Sequence, residues 1–127
     1  MGVRLEDEIV RYGVIVGLTF ACSGVKEQIY KRIVNNAIEV LNNYGFGEML
    51  AYILYEIGEG RLQKDVGKKI VSSLLEFKDK TRLSDKSIIL EIFKIASMTY
   101  KVLHNKKQLC RRISREIDLE KVISLIT

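Results

Sequence analysis

The sequence predicts an all-α protein, a single compact bundle of six or seven helices. Apolar residues recur at three- and four-residue spacing along most of the chain, which is the period of one face of an α-helix. No segment combines the alternation of a strand with the turn residues of a hairpin. A length of 127 residues, 47% of them hydrophobic, suits one domain, so we expect residues 1–127 to share a core.

The first predicted helix has an apolar stripe from Leu5 to Phe20, interrupted by two glycines. Gly13 and Gly17 each cost a helix about 1 kcal/mol relative to alanine. This cost is easier to understand if another helix packs closely against the same face. The stripe therefore predicts a helix–helix contact at the glycines.

The boundaries of the next two helices are predicted from their end residues. Ser23 is the predicted N-cap of the second helix, and Gly45 suits the left-handed position after its end. The third helix, Gly47–Ile57, leaves little polar face and is expected to be buried on more than one side. Gly58–Gly60 is the clearest linker in the chain.

The remaining helices follow the same logic. The fourth has a stripe from Leu62 to Phe77, and the fifth is predicted to begin at Ser84 as N-cap, with a hydrophobic staple between Leu83 and Ile88. The predicted buried side of the fifth helix comprises Ile88, Ile92, Ile95, Thr99 and Val102. A sixth helix near Lys107–Glu116 and a short seventh one capped by Asp118 complete the bundle.

The sequence offers no membrane span and no export signal. The longest run without a charge, residues 12–25, has 14 residues, whereas a span needs about 20. Residues 6–8 are acidic where a secretory signal would be basic, so we expect a cytoplasmic protein. In that compartment Cys22 and Cys110, which lack metal-type spacing, are predicted to be reduced structural cysteines.

Residues for catalysis are also missing, so we predict a protein that is not an enzyme and that needs no cofactor or metal. His104 is the only histidine, which excludes histidine-pair metal sites, and we expect it to be solvated or to cap a helix end. Cys110 has cationic neighbours but lies on the apolar side of its helix, which favours an inert thiol. Gly45–Gly47 lacks the strand and lysine of a phosphate loop.

Charge is divided unevenly along the chain. Residues 1–60 carry five basic and eight acidic side chains, a net of −3, and residues 61–127 carry sixteen basic and eight acidic ones, a net of +8. Such a field attracts polyanions, of which nucleic acid is the usual one. Alternatively, the two halves of neighbouring copies attract each other and favour head-to-tail assembly. The two hypotheses are compatible.

The strongest local feature is the segment 101–115, in which six of fifteen residues are basic and none is acidic. On a helix, Lys107, Arg111, Arg112 and Arg115 fan over roughly 140°, opposite an apolar side that anchors the helix to the core. We predict sequence-independent contact with a nucleic-acid backbone. The candidate residues are Lys101, Lys107, Arg111, Arg112 and Arg115, extended by Lys64 and Lys68 on the fourth helix. A solvated face and an acidic protein partner stay open as alternatives.

Three tyrosines flank or lie on the third helix, namely Tyr44, Tyr52 and Tyr55. Tyrosines of this kind can stack on bases or fill a subunit interface. Tyrosines at helical spacing more often close the rim of a core, and that interpretation is favoured here.

A resemblance to a known family is carried by residues 43–54, which read Asn-Tyr-Gly-Phe-Gly-Glu-Met-Leu-Ala-Tyr-Ile-Leu. This segment, after the lysine-bearing helix 26–41, is similar to the small-subunit family of type III (Cmr-type) CRISPR–Cas effector complexes. Members of that family show an Asn-x-Gly-like turn followed by a Leu-Ala-aromatic-aliphatic helix. The likeness covers about residues 10–58.

The resemblance implies a non-catalytic helical subunit that stacks in a short filament and lines the groove holding the guide RNA–target RNA duplex. Its partners would be that RNA, the other subunits of the effector complex and copies of itself. The alternative is a small helical adaptor that binds an acidic protein, or itself, and never touches nucleic acid. The unequal charge of the two halves of the chain is compatible with both hypotheses.

Overall fold

The structure, a computed structural model, describes the chain from Arg4 to Glu116 and its side chains from Arg4 to Arg112. This part of the chain contains six α-helices and no strand, which confirms the predicted all-α fold. The helices are α1 (Leu5–Cys22), α2 (Glu27–Tyr44), α3 (Phe46–Gly58), α4 (Lys64–Thr81), α5 (Lys86–Leu103) and α6 (Lys107–Glu116). The predicted seventh helix, after Asp118, lies outside the described residues.

The long helices are arranged up and down, so the bundle has two distinct ends. At one end the Tyr100 hydroxyl of α5 donates a hydrogen bond to the carbonyl of Val25, just before α2. At the other, the Lys86 ammonium at the start of α5 donates to the carbonyl of Asn42, near the end of α2. Helix α1 runs parallel to α5, and ion pairs join the end of α3 to the start of α2 and the end of α4 to the start of α1. The C-terminal ends of α1, α3 and α5 therefore lie together with the N-terminal ends of α2 and α4. We call this the α6 end, because α6 follows α5 there.

Helix α1 is central, and its glycines allow α5 to pack closely against it. A Cβ atom at Gly17 would lie 2.5 Å from the carbonyl oxygen of Ala96 and 2.6 Å from the Cβ of Thr99. A Cβ atom at Gly13 would collide with the side chain of Ile95. The predicted helix–helix contact at the glycines is thus confirmed, and α5 is the partner helix.

Stacked tyrosines join α2 and α5 in the core. The rings of Tyr30 and Tyr100 are parallel, with centroids 4.0 Å apart, and Phe20 meets Tyr30 edge-on at 5.0 Å. The Tyr30 hydroxyl also pairs with that of Ser97 at 2.7 Å, so its polar atom is satisfied. These contacts hold α5, which carries the connection to α6, in a fixed register against α2.

Two predicted helix starts are wrong. Helix α2 begins at Glu27 with Lys26 as N-cap, and Ser23 instead follows the end of α1. Helix α5 begins at Lys86 with Asp85 as N-cap, one residue after the predicted Ser84. Neither N-cap makes a side-chain hydrogen bond, so the starts of these helices do not depend on side-chain capping.

The predicted buried side of α5 is only partly correct, because Ile92 and Thr99 are buried and the other three predicted residues are not fully buried. Val102 is 47% exposed, and Ile88 and Ile95 are half-buried. The buried residues of α5 are Ile89, Ile92, Phe93, Ala96, Thr99, Tyr100 and Leu103. Ile92, Ile95 and Thr99 of the predicted side do face α1 at its glycines. Because the helix is apolar on several sides, its period alone does not show that further residues of α5 are buried as well.

A buried carboxylate joins α2, α3 and the start of the loop to α4. Glu56 is 4% exposed and accepts a 2.7 Å hydrogen bond from the guanidinium of Arg61, with Arg32 at 3.9 Å. Burial raises the pKa of Glu56, but hydrogen bonds and the charges of both arginines outweigh burial and leave the pKa below its ordinary value. The ionised form is therefore the one the fold stabilises.

This arrangement predicts the pH dependence of a Glu56→Gln variant. A depressed pKa in the folded state contributes stability that is present above the unfolded pKa, about 4.3, and is lost as pH falls through the folded value. At neutral pH we expect the variant to lose about 2 kcal/mol of unfolding free energy. Urea unfolding at pH 7 and at pH 3 should show that the difference from wild type shrinks in acid. An equal difference at both pH values would contradict this assignment.

Candidate nucleic-acid interface

Helix α6 separates its apolar and basic residues as the sequence predicts. Leu109 and Cys110 are half-buried and pack against the core. Lys107, Arg111 and Arg112 are exposed on the remaining surface. The helix therefore lies across the end of the bundle with its positive charges toward solvent. The side chain of the fourth predicted member of this face, Arg115, lies outside the described side chains.

The two cysteines are paired, so the prediction of reduced cysteines is wrong. Cys22 at the end of α1 and Cys110 in α6 form a disulfide with their Cα atoms 5.4 Å apart. The residues are separated by 88 positions in sequence, and the parallel course of α1 and α5 brings them together. The spacing of the cysteines in the sequence does not indicate that they pair, because the pairing depends on tertiary structure. The bond attaches the basic helix covalently to the centre of the bundle.

The positive charges of α6 are not neutralised within the described part of the chain. No carboxylate of residues 4–112 lies within 4.0 Å of the charged nitrogens of Lys107, Arg111 or Arg112. Elsewhere, lysines do have such partners, as in the pairs Lys31–Glu27 and Lys94–Glu91, both at 3.1 Å. Lys107 and Arg111 are also four residues apart on one helix, a repulsive spacing for like charges. An anionic partner would relieve this repulsion.

Lys101 differs from the arginines because a carboxylate lies near it. It is exposed on the last turn of α5 and contributes, with His104, to the low pKa of Glu27. The hydrogen bond and charge of Lys31 are the main causes of that low pKa. Lys101 therefore belongs to the predicted surface, but its charge is partly balanced by the first turn of α2.

Lys64 and Lys68 are exposed in the first turns of α4, which begins at the α6 end of the bundle. The structure thus brings both residues to the end that carries Arg111 and Arg112, although on a different helix. Asp65 lies between them and accepts a hydrogen bond from the amide of Val66. The α4 contribution is consequently less positive than that of α6.

The tyrosines of the third helix have different environments. Tyr52 is half-buried and packs against the core, as the favoured interpretation predicts. Tyr44 and Tyr55 are 71% and 56% exposed, so they do not close a core. The guanidinium of Arg61 lies over the ring of Tyr55, 5.4 Å from its centroid. Tyr55 and Arg61 thus add an aromatic and a cationic group to the α6 end.

A cavity beside the basic face of α6 is lined by further basic residues, which sequence reasoning missed. Lys26, in the turn before α2, and Lys106, just before α6, both lie exposed beside Lys107 and Arg111 around one cavity. His104 is half-buried there, and its ring stacks on that of Tyr100 with centroids 4.8 Å apart. Lys106 belongs to the basic segment 101–115. Lys26 lies 80 positions before Lys106, and no sequence pattern indicated that the two residues would be neighbours.

The part of the chain that the structure describes contains neither a metal site nor a membrane span. Among the described residues, no three histidine, cysteine or acidic side chains are grouped so as to hold a metal ion. Within the same part of the chain, every helix is too short or too polar to cross a bilayer. Comparison of the chain with protein-family models, with curated proteins and with solved structures found no match.

Proposed function

We propose that the protein is a non-catalytic, cytoplasmic RNA-binding subunit of an RNA-guided CRISPR effector ribonucleoprotein. It contacts the backbone of the guide–target duplex through the basic face of α6 and stacks with neighbouring subunits. One observation carries the RNA-binding part: Lys107, Arg111 and Arg112 are exposed, lack ion pairs within the described residues, and sit on a helix fixed by a disulfide. The resemblance of residues 10–58 is the reason for choosing this class of complex.

Phosphate recognition is the chemistry that these side chains suit. The planar guanidinium of arginine donates two parallel hydrogen bonds to phosphate oxygens, and lysine supplies a point charge. Contacts to phosphate carry no sequence information, so binding should be independent of sequence. Displaced counterions would make the affinity fall steeply as salt rises.

A salt series tests this proposal. Three phosphate contacts imply an affinity about 20- to 40-fold lower at 200 mM than at 50 mM monovalent salt. Filter binding of a double-stranded and a single-stranded RNA of unrelated sequences would measure the slope. Affinity that does not change with salt, or that depends strongly on sequence, would contradict backbone contact.

A charge-reversed variant locates the binding face. We expect Arg111→Glu with Arg112→Glu to weaken RNA binding roughly a hundredfold at low salt, because two phosphate contacts become repulsions. The matched control is Arg82→Glu with Lys94→Glu, which changes the net charge equally. Arg82 lies at the opposite end of the bundle, and Lys94 lies more than two turns before the end of α5. Equal losses in the two variants would mean that total charge, and not this face, determines binding.

The second candidate function, a helical adaptor without nucleic-acid binding, is supported by exposed apolar side chains. Leu54 and Tyr55 on α3 are 49% and 56% exposed. The unequal charge of the two halves of the chain is the second observation that supports this function. Sedimentation at low and high salt separates the two functions. Charge-driven self-assembly should dissolve as salt rises. A monomer at all salt concentrations that also binds RNA would exclude the adaptor.

A further inference from the structure

A cavity of about 540 Å³ lies at the α6 end of the bundle. It opens between the turn that joins α1 to α2 and the turn that joins α5 to α6, and the Cys22–Cys110 disulfide forms part of its wall. Its size falls within the range of about 300–1,000 Å³ that is usual for small-molecule sites. Nothing in the backbone-binding role of the exposed arginines requires such a concave site.

The lining of the cavity is strongly positive. Five of its twelve lining residues are basic and none is acidic. The basic residues are Lys26, His104, Lys106, Lys107 and Arg111. No ion pair within the described side chains involves any of them. Charges of one sign around a concave surface concentrate their field there and attract anions.

The cavity is held in shape from several sides. The hydrogen bond from the Tyr100 hydroxyl to the carbonyl of Val25 is 2.6 Å long and buried, and it joins the last turn of α5 to the turn between α1 and α2. His104 is stacked on Tyr100, and the disulfide fixes α6 at the far wall. Gly24, with a φ of 76°, keeps the α1–α2 turn tight and free of a side chain. A site prepared in this way loses little conformational entropy when a ligand binds.

The backbone adds donors to the same opening. Helix α2 begins at the rim with Lys26 as N-cap, and no side chain caps the free amide groups of its first turn. Such amides favour anions. They reinforce the basic side chains, and apolar atoms of Val25 and Leu103 form the remaining surface, which suits the organic part of a ligand.

We propose that this cavity binds a terminal phosphate group, as a phosphomonoester or diphosphate attached to a nucleoside. Lys26, Lys106 and Arg111 surround the phosphate, and the apolar wall receives the nucleoside. The same chemistry is presented by a free nucleotide and by the 5′-phosphorylated end of an RNA strand. The site shares Lys107 and Arg111 with the proposed RNA-backbone face, and Lys26 and Lys106 distinguish it from that face, so the proposal does not depend on RNA-backbone binding.

Calorimetric titration with two pairs of probes tests the site. ADP is compared with adenosine, and a ten-nucleotide RNA with a 5′-phosphate is compared with the same RNA carrying a 5′-hydroxyl. We expect the phosphorylated member of at least one pair to bind at least tenfold more tightly. Preference within the first pair alone identifies a free nucleotide, and preference within the second identifies a strand end. Equal binding within both pairs overturns the proposal.

Two double variants, each removing two positive charges, separate this site from the backbone face. Lys26→Ala with Lys106→Ala changes residues of the cavity, and Arg112→Ala with Lys64→Ala changes exposed residues that do not line it. The first variant should lose the preference for the phosphorylated probe and keep most of its salt-dependent affinity for double-stranded RNA. The second should keep the preference. If the first variant keeps the preference for the phosphorylated probe, the proposal is overturned. If only the second variant loses duplex binding, the result supports the RNA-backbone face and leaves the cavity proposal standing.

Discussion

Removal of the disulfide, through Cys22→Ser with Cys110→Ser, is expected to lower the free energy of unfolding by about 4 kcal/mol. The bond closes a loop with a sequence separation of 88, and the chain-entropy relation gives a stabilisation of about 4.6 kcal/mol for such a loop. Long loops gain most from closure because the unfolded chain loses most freedom. Urea unfolding of the oxidised wild type and of the double variant would measure the difference.

Wild-type protein treated with a dithiol reductant is the internal control. It should unfold at nearly the same urea concentration as the double variant, because both lack the bond and keep similar side-chain volumes. An oxidised and a reduced wild type with identical midpoints would contradict a stabilising disulfide. Alkylation of free thiols followed by mass measurement would show which form each sample contains.

The same change should affect the proposed RNA binding without altering any charge. Among the described residues, Leu109 and Cys110 are the side chains of α6 that pack against the core. Without the bond, the basic face loses its fixed orientation, and binding must then restore it at an entropic cost. We expect RNA affinity to fall by about tenfold, less than in the charge-reversed variant. Filter binding with and without reductant would measure this loss, and unchanged affinity would mean that α6 does not need the bond to be held in place.

The disulfide counts against the proposed cytoplasmic location. Disulfides persist mainly in oxidising compartments, and intracellular proteins of hyperthermophiles are the main exception. The sequence prediction of reduced cysteines followed from the expected compartment and not from any property of the two residues. Spatial proximity decided the pairing instead, and it depends on how α1, α5 and α6 meet.

Features with a local cause were predictable from the sequence. The apolar period gave all six described helices, and the opposition of Leu109 and Cys110 to the basic residues gave the orientation of α6. Gly13 and Gly17 indicated a close helix contact because glycine in a helix is costly without one. Each of these inferences needs only neighbouring residues.

Features that depend on the packing of distant segments were not predictable. Lys26 joins Lys106 and Arg111 around the cavity because α1 and α5 run parallel and end at the same level. The buried side of α5 was predicted only in part, because several faces of this helix are apolar. The positive cavity therefore emerges only once the helices are assembled, although each of its lysines is visible in the sequence.

The contact between α1 and α5 leads to the second large effect, a Gly17→Ala variant that loses about 3 kcal/mol of unfolding free energy. The new methyl group would lie 2.5 Å from the backbone oxygen of Ala96 and 2.6 Å from the Cβ of Thr99. A backbone oxygen within a helix cannot move aside as a flexible side chain can, so the two helices must separate. Their separation would open the core next to Phe20 and Tyr100.

Gly47→Ala is the matched control for this change. Gly47 is exposed in the first turn of α3, and a Cβ atom there meets nothing within 4 Å. Alanine at that position should leave stability unchanged or raise it by up to about 1 kcal/mol, because alanine favours the helix and glycine does not. Thermal and urea unfolding of the two variants should thus move in opposite directions. If the Gly17→Ala protein were as stable as the Gly47→Ala protein, α1 and α5 would not be in contact at Gly17. The parallel register of these two helices, which positions Cys22, Lys26 and α6, would then also be wrong.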